Sequence, residues 1–474
     1  ANKGDNAVLR IIRNDKRSGT GYVRFYTTNH TAQSGKDYTA TNRVINFRGG
    51  QSYVDVTVKT GRDNAYQGDK LFRAILTYSG FSSAAYIKLK DKASTSQITL
   101  TDKTLSVLAN RYLSDKIFSK SELTSLLKTA AKSGITVTEF NDLKSISASL
   151  SNYLSGSSKD YLRYIYNSAV KGNKANAYFT GGKSSSSELG NMKAGSSEAH
   201  VNKLISKWFL GTDRPSNMVG GDSARGYGGK YYAYSSMSGT LFKDNVCFTD
   251  ISQGQAGTCY LLAAAACAAK SNSQLITSMF KDNNDGTYGV RFYANSGRQI
   301  WVTVDKSSLA TNGKAALASN STRSLKDEMW VTLLEKAYAQ ANEIGEFGRK
   351  TSRNTYTSIE SGLNEAIKHI SGSSSAYVYA PRMSAGTWNS KKSEIISKVK
   401  NNKQIFVGCY KDSYDIYGRK MFVSGHAFAI VGYDNSTDQF ILRNPWGSGG
   451  SSYVGQFKAS WSQLYSVKAL VAYT

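Results

Sequence analysis

The sequence predicts a multidomain protein of mixed α/β class, in which an all-β sandwich precedes a small α-helical unit and a two-lobed α+β core. The prediction rests on three changes of pattern along the 474 residues. β-Branched and aromatic runs fill residues 1–102, apolar residues at helical spacing fill 103–179, and 201–474 has helical patterns first and strand patterns afterwards. A chain of this length has enough apolar side chains for several separate cores.

Residues 1–102 are typical of a β-sandwich, because Gly, Asn and Asp separate their apolar runs at short intervals. Val, Ile, Tyr, Phe and Thr dominate these runs, and such residues fit a pleated, half-buried surface. The runs that predict strands are AVLRIIR, GYVRFYTT, RVINF, YVDVTVKT, LFRAILTY and AAYIKL.

Residues 103–179 predict a small helical unit. The helical spacing is clearest in TLSVLANRYL, SKSELTSLLKTAAK and TVTEFNDLKSISASLSNYL. Ser119 with Glu122, and Thr136 with Glu139, have the spacing of a capping box, which predicts a helix start at each place.

Residues 180–200 are rich in Ser and Gly and predict a flexible linker before the core. A flexible segment directly before a protein core is a natural site of proteolytic cleavage. If the core is a protease, we expect cleavage within 180–200, including cleavage by the protein itself.

Residues 201–474 predict a helical lobe followed by a mainly antiparallel sheet lobe, because helical spacing gives way to alternation along the segment. The predicted helices are 258–270, 273–281, 325–344 and 391–401. The predicted strands are 288–293, 300–304, 404–410, 426–433, 438–443 and 467–473.

The chain is strongly basic, with 60 Lys and Arg against 34 Asp and Glu, and a formal net charge of +26. The basic residues are spread along the chain, and no zinc-finger, RRM or KH pattern occurs, so specific nucleic-acid binding is not predicted. Either the charge is an ordinary solvated surface, or it attracts an acidic surface partner such as a polysaccharide or an acidic protein. No apolar run reaches the length of a transmembrane helix, so a soluble protein is predicted.

The four cysteines, Cys247, Cys259, Cys267 and Cys409, include no C-x-x-C pair. That pair is typical of zinc sites and thioredoxin-like sites, so neither is predicted. If one cysteine is reactive, the other three cannot all pair, and a disulfide framework does not hold this chain together.

Cys259 stands directly before an apolar run, in the stretch DISQGQAGTCYLLAAAACAAK of residues 250–270. One explanation is packing, because a buried cysteine behaves as a small hydrophobe. The other explanation is chemistry, because the first turn of a helix has unpaired N–H groups and a partial positive charge that stabilise a thiolate.

Two later residues favour chemistry. His426 begins GHAFAIVGYD after its glycine, and Asn444 lies in ILRNPWG. With Cys259 they give the order Cys…His…Asn of papain-type sites. His426 would take the thiol proton and later give it to a leaving amine, while Asn444 would orient the imidazole without adding a negative charge. Taken alone, a single His beside a strand is equally well explained as a structural residue.

Two more side chains complete this interpretation. Gln253 stands shortly before the cysteine and would donate its amide to an oxyanion, together with the backbone N–H of Cys259. Gly254 and Gly257 would allow the intervening loop to bend sharply. Trp446 would shield the bond between the imidazole and the asparagine from water.

These segments together resemble the calpain family of cysteine proteases, in the form found in bacterial proteins. The resemblance covers residues 201–474 and rests on TDISQGQAGTCYLLAAAA, EMWVTLLEKAYAQAN, IFVGCY, GHAFAIVGYD, ILRNPWG and YVGQFKASWSQL. It implies a papain-like fold of two lobes, a protein or peptide substrate and no organic cofactor. It assigns the catalytic and oxyanion roles to Cys259, His426, Asn444 and Gln253. Thr258 and Tyr260 depart from animal calpains, which have Asp and Trp at these places.

The resemblance also implies a calcium site in the protease core. The ligands that it suggests are the backbone carbonyls of Lys243 and Asn245 and the side chains of Asp250 and Glu346. Hard oxygen ligands suit calcium, although Asp250 is also explained as a residue that ends a loop. A second family site needs acids after Asn444, and residues 445–474 contain none, so at most one core calcium ion is expected.

The stretches GKDYTATNRVINFRGGQSYVDVTV and DNAYQGDKLFRAIL resemble the Calx-β family of small sandwich modules. The resemblance places Asp37, Asp63 and Asp69 where such modules carry acidic calcium ligands. Few further acids accompany them, so calcium binding by this domain stays open. Such modules occur in adhesion proteins, which implies a secreted or cell-surface bacterial protein.

Three functions remain to be compared. The first is an active cysteine endopeptidase with the residues named above. The second is a catalytically inactive calpain-like adhesion or scaffold protein that binds through its Calx-β-like domain. The third is a transglutaminase, which also uses Cys and His, but the Asn in third place and the LEKAYA segment disfavour it.

Overall fold

The computed structural model describes residues 1, 4–14, 19–61, 69–90, 98–220 and 229–474. By its contacts the chain divides into two compact units. One consists of Ala1–Ala130 and Ala148–Ser155, and the other of Ala131–Ser147 and Gly156–Thr474. No helix in the described ranges is long and apolar enough to cross a membrane.

The first unit contains the β-sandwich that the sequence predicts. Its strands are β1 (Ala7–Ile12), β2 (Gly21–Asn29), β3 (Asn42–Phe47), β4 (Tyr53–Val58), β5 (Lys70–Tyr78) and β6 (Phe81–Leu89). One antiparallel sheet has the order β3-β2-β5-β6, and a second pairs β1 with β4. Alternate residues of these strands point inwards and form one apolar core around Phe25, Val56 and Phe72.

Four helices follow the sandwich: α1 (Lys103–Tyr112), α2 (Lys120–Ala131), α3 (Val137–Ser149) and α4 (Lys159–Val170). Ser119 N–H donates to Glu122 at 2.8 Å, and Glu122 N–H donates to the Ser119 hydroxyl at 3.2 Å. Thr136 and Glu139 make the same reciprocal bonds, so both predicted capping boxes are confirmed. By contacts, α1 belongs to the first unit and α4 to the second.

The Ser/Gly-rich segment 180–200 is held by hydrogen bonds within the second unit. Strand β7 (Tyr178–Phe179) pairs with β8 (Ser187–Glu188), and Met192 is buried. Residues 183–188 are exposed without interruption, and exposed residues alternate with less exposed ones from 189 to 196. Its role as a linker and as a cleavage site stays a prediction.

The helical lobe of the second unit is packed around the buried helix Cys259–Ser271. Its helices are α5 (Glu198–Ile205), α6 (Cys259–Ser271), α7 (Gln274–Thr277), α8 (Trp330–Asn342) and α9 (Glu365–Ser371). Its strands are β9 (Met218–Val219), β10 (Lys230–Tyr231), β11 (Ala233–Ser236), β12 (Phe280–Asp282), β13 (Thr287–Tyr293), β14 (Gln299–Asp305), β15 (Ser307–Thr311) and β16 (Lys314–Ala315).

The sheet lobe contains a six-stranded antiparallel sheet and three helices. Its strands are β17 (Ala376–Tyr379), β18 (Ile405–Cys409), β19 (Ser413–Tyr414), β20 (Lys420–Phe422), β21 (His426–Asp434), β22 (Gln439–Arg443), β23 (Gln456–Ala459) and β24 (Leu470–Tyr473). Its helices are α10 (Ala385–Ser390), α11 (Lys392–Lys400) and α12 (Trp461–Ser466). The large sheet has the order β17-β24-β18-β21-β22-β23, and one face packs on an apolar core around Trp388, Phe428 and Trp461.

Two predicted helices differ from the structure. The segment predicted as helix 273–281 is helical only until Thr277, and Phe280–Asp282 is a strand paired with β13. The helix predicted over 325–344 begins at Trp330, because Met329 and Trp330 donate their N–H groups to carbonyls of residues 240–241. Tertiary hydrogen bonds therefore override the local apolar spacing at both places.

Three buried charged side chains form an ion cluster in the helical lobe. Lys207 Nζ lies 2.6 Å from Asp213 Oδ2 and 2.5 Å from Glu343 Oε2, and all three residues are buried. Asp213 Oδ1 also accepts the N–H groups of Thr180 and Gly181 at 2.7 and 2.6 Å. Burial lowers the pKa of Lys207, but the charges of Glu343 and Asp213 outweigh burial and leave it raised.

We expect Lys207→Met to lower the free energy of unfolding by about 3–5 kcal/mol, because it leaves two buried carboxylates without their counter-charge. Lys270→Met is the control, since Lys270 is exposed at the end of α6. Chemical denaturation at neutral pH measures both changes. Equal stability of the two variants would contradict a structural role for the cluster.

Candidate active site

Cys259 is the first residue of α6, the helix at the centre of the second unit. The rest of the helix from Tyr260 to Ala269 is buried, and its many alanines allow neighbouring elements to approach closely. Cys259 itself is only half-buried. The thiol therefore lies in the first helical turn, where unpaired N–H groups and the helix dipole stabilise a thiolate.

The loop before this helix is held by a facing segment at residues 252–255. Ser252 and Ser319 exchange backbone hydrogen bonds of 2.9 and 3.0 Å, and Gln255 N–H donates to Ala316 O at 2.8 Å. Gly254 lies so close to the facing backbone that a Cβ atom there would overlap it. Glycine at this position is therefore required for the loop to pack against the facing segment.

Gln253 is buried inside this loop and links it to the sheet lobe. Its side-chain Nε2 donates to Ala256 O at 2.8 Å, which orients the amide group. Its backbone N–H donates to Pro445 O at 2.8 Å, and its carbonyl accepts from Arg323 Nη1 at 3.2 Å. The position of Gln253 thus depends on both lobes.

His426 begins β21, and Asn444 directly follows the neighbouring strand β22 of the sheet lobe. His426 Nε2 and Asn444 Oδ1 are 2.9 Å apart, and both residues are buried. Asn444 Oδ1 also accepts the backbone N–H of Trp446 at 3.0 Å, so the oxygen of the amide faces the ring. The ring of Trp446 is 4.4 Å from the imidazole centroid and covers this bond. Because Nε2 carries the donated hydrogen, Nδ1 is the basic nitrogen.

Cys259 and His426 line one cleft of about 500 Å3. The helical lobe contributes Gly257, Cys259 and the segment 360–363 to its lining, and the sheet lobe contributes His426 and parts of β18 and β21. The cleft therefore brings the predicted thiol and imidazole together between the lobes. An extended peptide placed in it would contact both.

The family model of calpain family cysteine proteases matches residues 232–470, which is half of the chain. The chain belongs to this family. A second family model, that of the Calx-beta domain, matches residues 2–104. The expected resemblances to the calpain and Calx-β families are thereby confirmed, and so is the predicted order of a sandwich, a helical region and a protease core. The bacterial form of the calpain family stays a prediction.

Curated calpains are similar to this chain over less than half its length. Calpain-12 of Mus musculus is 27% identical over 213 residues, which cover 42% of this chain and 27% of that protein. The Calpain-2 catalytic subunit of Gallus gallus is 26% identical over 217 residues, which cover 42% and 28%. The chain thus spans little more than a quarter of the length of these relatives.

Crystal structures of Calx domains are among the solved structures that are similar to this chain. The crystal structure of the apo-form Calx CBD1 domain has 19% sequence identity and a TM-score of 0.17. The similarity covers 18% of this chain and 82% of the Calx CBD1 chain.

The calpain-family core carries a buried carboxylate behind its cysteine that the sequence analysis did not single out. Glu335 lies on α8 and is fully buried. The Thr258 hydroxyl donates to its Oε1, and Ala318 N–H donates to its Oε2 at 2.9 Å. Burial raises the pKa of Glu335 to about 7, against the lowering effect of these two hydrogen bonds. The Thr at the place of the animal calpain Asp thus binds an acid supplied by another helix.

Tyr260, the second departure from animal calpains, fixes one wall of the cleft. Its hydroxyl donates to Ile359 O at 2.8 Å from a fully buried position. A Cβ atom on Gly362 would come within 2.5 Å of its ring, so only glycine fits there. Tyr260 therefore holds the segment 359–362 beside the start of α6.

The structure places a different acid beside Asp250 from the one that the resemblance suggests, and the calcium site itself stays a prediction. Glu346 forms an ion pair with Arg298 and lines a different cavity, next to α4. The acid that accompanies Asp250 is instead Glu328, whose Oε1 accepts the N–H of Lys243 at 3.1 Å. The resemblance suggested an acid that follows α8, whereas Glu328 lies directly before that helix.

Asp250, which is half-buried, and Glu328, which is buried, form an acidic pair at the loop that carries Lys243 and Asn245. Asp250 Oδ2 accepts the N–H of Cys247 at 2.7 Å, so Asp250 also ends this loop. Burial raises the pKa of Glu328 to about 7, and the charge of Asp250 adds to the rise. Among the residues that the structure describes, no group of three or more His, Cys, Asp or Glu side chains could hold a metal ion.

The acids predicted for the Calx-β-like domain are paired with lysines where they are described. Asp37 is buried and lies 2.8 Å from Lys70 Nζ, and Asp69 lies 2.9 Å from Lys88 Nζ. Asp63 lies outside the described residues. An ammonium group therefore already supplies positive charge to each of the two described acids.

We expect Thr258→Val to lower the free energy of unfolding by about 1–3 kcal/mol, because it removes a donor from the buried carboxylate of Glu335. It should also slow alkylation of Cys259 by an epoxide, since Thr258 directly precedes the thiol in the loop. Thr258→Ser keeps the hydroxyl and is the control. Unchanged stability and alkylation in the valine variant would contradict this role.

Proposed function

We propose that the chain is a cysteine endopeptidase in which Cys259 attacks the substrate carbonyl and His426 moves the protons. The observation that carries the proposal is the shared cleft, with a helix-start thiol on one lobe and an Asn-oriented imidazole on the other. Membership of the calpain family supports it. Every further role assigned here rests on this proposal.

In the first half of the reaction His426 Nδ1 takes the proton of the Cys259 thiol, and the thiolate attacks the peptide carbonyl carbon. The resulting oxyanion accepts the backbone N–H of Cys259 and a second N–H of the Gln253 amide, whose other N–H is bound by Ala256. The C–N bond breaks when His426 gives its proton to the leaving amine. The acyl group is then bound to sulfur.

In the second half a water molecule gives a proton to His426 Nδ1 and attacks the thioester carbon. The C–S bond breaks, the peptide acid leaves, and the thiol regains its proton. Asn444 keeps the ring in one orientation throughout, because its amide oxygen is fixed by the N–H of Trp446. An amide is suited to this task since it orients the imidazolium without competing with the thiolate for its charge.

We expect Cys259→Ala to abolish both proteolysis of denatured casein and labelling by an epoxide thiol reagent. Cys267→Ala is the control, because burial raises the pKa of Cys267 to about 12 and keeps it a thiol. Mass spectrometry of labelled protein should show one modified residue. Cleavage by the Cys259→Ala protein would overturn the mechanism, and a wild type that neither cleaves nor is labelled would favour the inactive adhesion protein.

We propose in addition that one calcium ion binds at the acidic pair beside the Gln253 loop. The backbone carbonyls of Lys243 and Asn245 and the carboxylates of Asp250 and Glu328 would hold it. The residues fit such an ion, because a half-buried and a buried acid with raised pKa values lie together and a cation would relieve their repulsion. Bound calcium would supply positive charge there and stiffen the loop that leads to Gln253.

We expect calcium to raise the melting temperature of the wild-type chain, and Asp250→Asn and Glu328→Gln each to remove most of that rise. Glu346→Gln is the control, since its acid lies elsewhere and should leave the rise intact. Titration calorimetry should show one binding event that the first two variants lose. Loss of binding in Glu346→Gln, or a second core ion, would contradict the proposal.

A further inference from the structure

The outer face of one sheet of the β-sandwich carries aromatic side chains where polar ones are expected. In an antiparallel sheet that covers a core on one side, the residues on the other side meet solvent and are normally polar. In the sheet β3-β2-β5-β6 these outward positions include Tyr22 and Tyr86, whose exposed fractions are 59% and 58%. Val44 is exposed on the same face. Exposed aromatic residues grouped on one face indicate a binding surface.

The strand register places three tyrosines on this face. Tyr22 and Tyr26 alternate with the core residues of β2 and therefore point outwards. Arg73 pairs with Thr28 on one side and with Tyr86 on the other, which brings Tyr86 to the same face. From the usual rise along a strand and the usual spacing between strands, Tyr22 and Tyr86 are offset by roughly 20 Å along the strands and roughly 10 Å across them. The three rings therefore follow a diagonal line across the sheet, which suits a linear polymer.

Polar and charged side chains lie between the rings. Arg24 follows the first ring along β2, and its Nε donates to Asn42 Oδ1 at 3.1 Å. Arg73 lies beside Tyr86, with its guanidinium carbon 5.7 Å from the ring centroid. This alternation of rings with hydrogen-bonding groups differs from the centre of a protein interface, which is a closely packed apolar core. The face is therefore better suited to a ligand that has apolar surfaces and polar groups side by side.

The side-chain charges of the four strands are all positive. The strands contain no Asp or Glu, and their basic residues are Arg24, Arg43, Lys70, Arg73 and Lys88. Lys70 pairs with the buried Asp37, and Lys88 pairs with Asp69. Arg24 and Arg73 stand next to the rings, and a guanidinium binds a carboxylate through two parallel N–H groups. The charge of the face thus complements an acidic ligand.

We propose that this face binds an acidic polysaccharide. The sugar rings stack on the three tyrosines, and the carboxylates pair with Arg24 and Arg73. A pyranose ring has a flat face of C–H groups that packs on an aromatic ring, while its hydroxyl groups form hydrogen bonds at the rim. A uronic acid adds a carboxylate to each ring, and this combination fits a surface on which tyrosines and arginines alternate. The inference concerns the sandwich alone and does not depend on the proposed endopeptidase function.

The test compares two acidic oligomers of equal charge by titration calorimetry with the full chain at physiological ionic strength. One is an oligomer of galacturonic acid, and the other is an oligomer of glutamic acid, which has carboxylates but no sugar ring. The wild-type chain should bind the sugar oligomer at least about tenfold more tightly, because several rings stack. Tyr22→Ala and Tyr86→Ala should each weaken that binding by about threefold to tenfold, the range of one aromatic contact, although neither changes the net charge. Tyr22→Phe keeps the ring and should bind like the wild type.

Matched controls separate this face from the general basic charge of the chain. Tyr417→Ala removes a tyrosine that is 77% exposed in the protease core, and it should leave the affinity unchanged. Arg24→Gln should weaken binding, whereas Arg10→Gln removes the same charge from the other sheet of the sandwich and should not. Equal affinity for the two oligomers, or sugar binding that survives the loss of both tyrosines, would overturn the proposal in favour of charge attraction alone. A change of oligomeric state in the tyrosine variants, measured by light scattering, would overturn it in favour of an interface between copies of the chain.

Discussion

The hydrogen bonds of one buried carboxylate, that of Glu335, hold together the parts on which the site depends. Thr258 at the start of α6 and Ala318 in the facing segment both donate to it. The facing segment in turn carries the loop of Gln253, and that loop donates a backbone N–H to Pro445 beside Asn444. A single acid on α8 thereby connects the thiol, the oxyanion loop and, through one further bond, the imidazole support of the other lobe.

This arrangement explains how two lobes with separate cores can form one site. Apolar packing brings α6 against β18 and β21, but packing alone does not fix a thiol to within a few tenths of an ångström. Directional bonds do so at the cleft itself, where Asn444 accepts from both His426 and Trp446. The core therefore supplies stability, and buried polar bonds supply the geometry.

The sequence predicted what depends on local or chemical patterns. The capping boxes are local, and the order of Cys259, His426 and Asn444 follows from the chemistry that a thiol needs. The sequence-based predictions were wrong where contacts between distant residues decide the local structure. Residues 273–281 were predicted to be helical, although Phe280–Asp282 pairs with β13. The sequence analysis did not single out Glu328, which lies beside Asp250 in the structure, because spacing along a chain does not show where the chain turns back.

The burial of Glu335 lowers the stability of the folded chain near neutral pH, and this loss indicates the role of the acid. The folded pKa of Glu335 is about 7, above the ordinary value of about 4.5, so the folded chain binds this proton more tightly than the unfolded chain. The stability that this group contributes is therefore full in acid and falls as the pH rises from about 4.5 to about 7. An apolar residue would avoid that loss, but it could not accept hydrogen bonds from Thr258 and Ala318 at once. The acid thus lowers the free energy of unfolding near neutral pH, but its hydrogen bonds fix the start of α6. Such a loss of stability is expected where geometry matters more than stability.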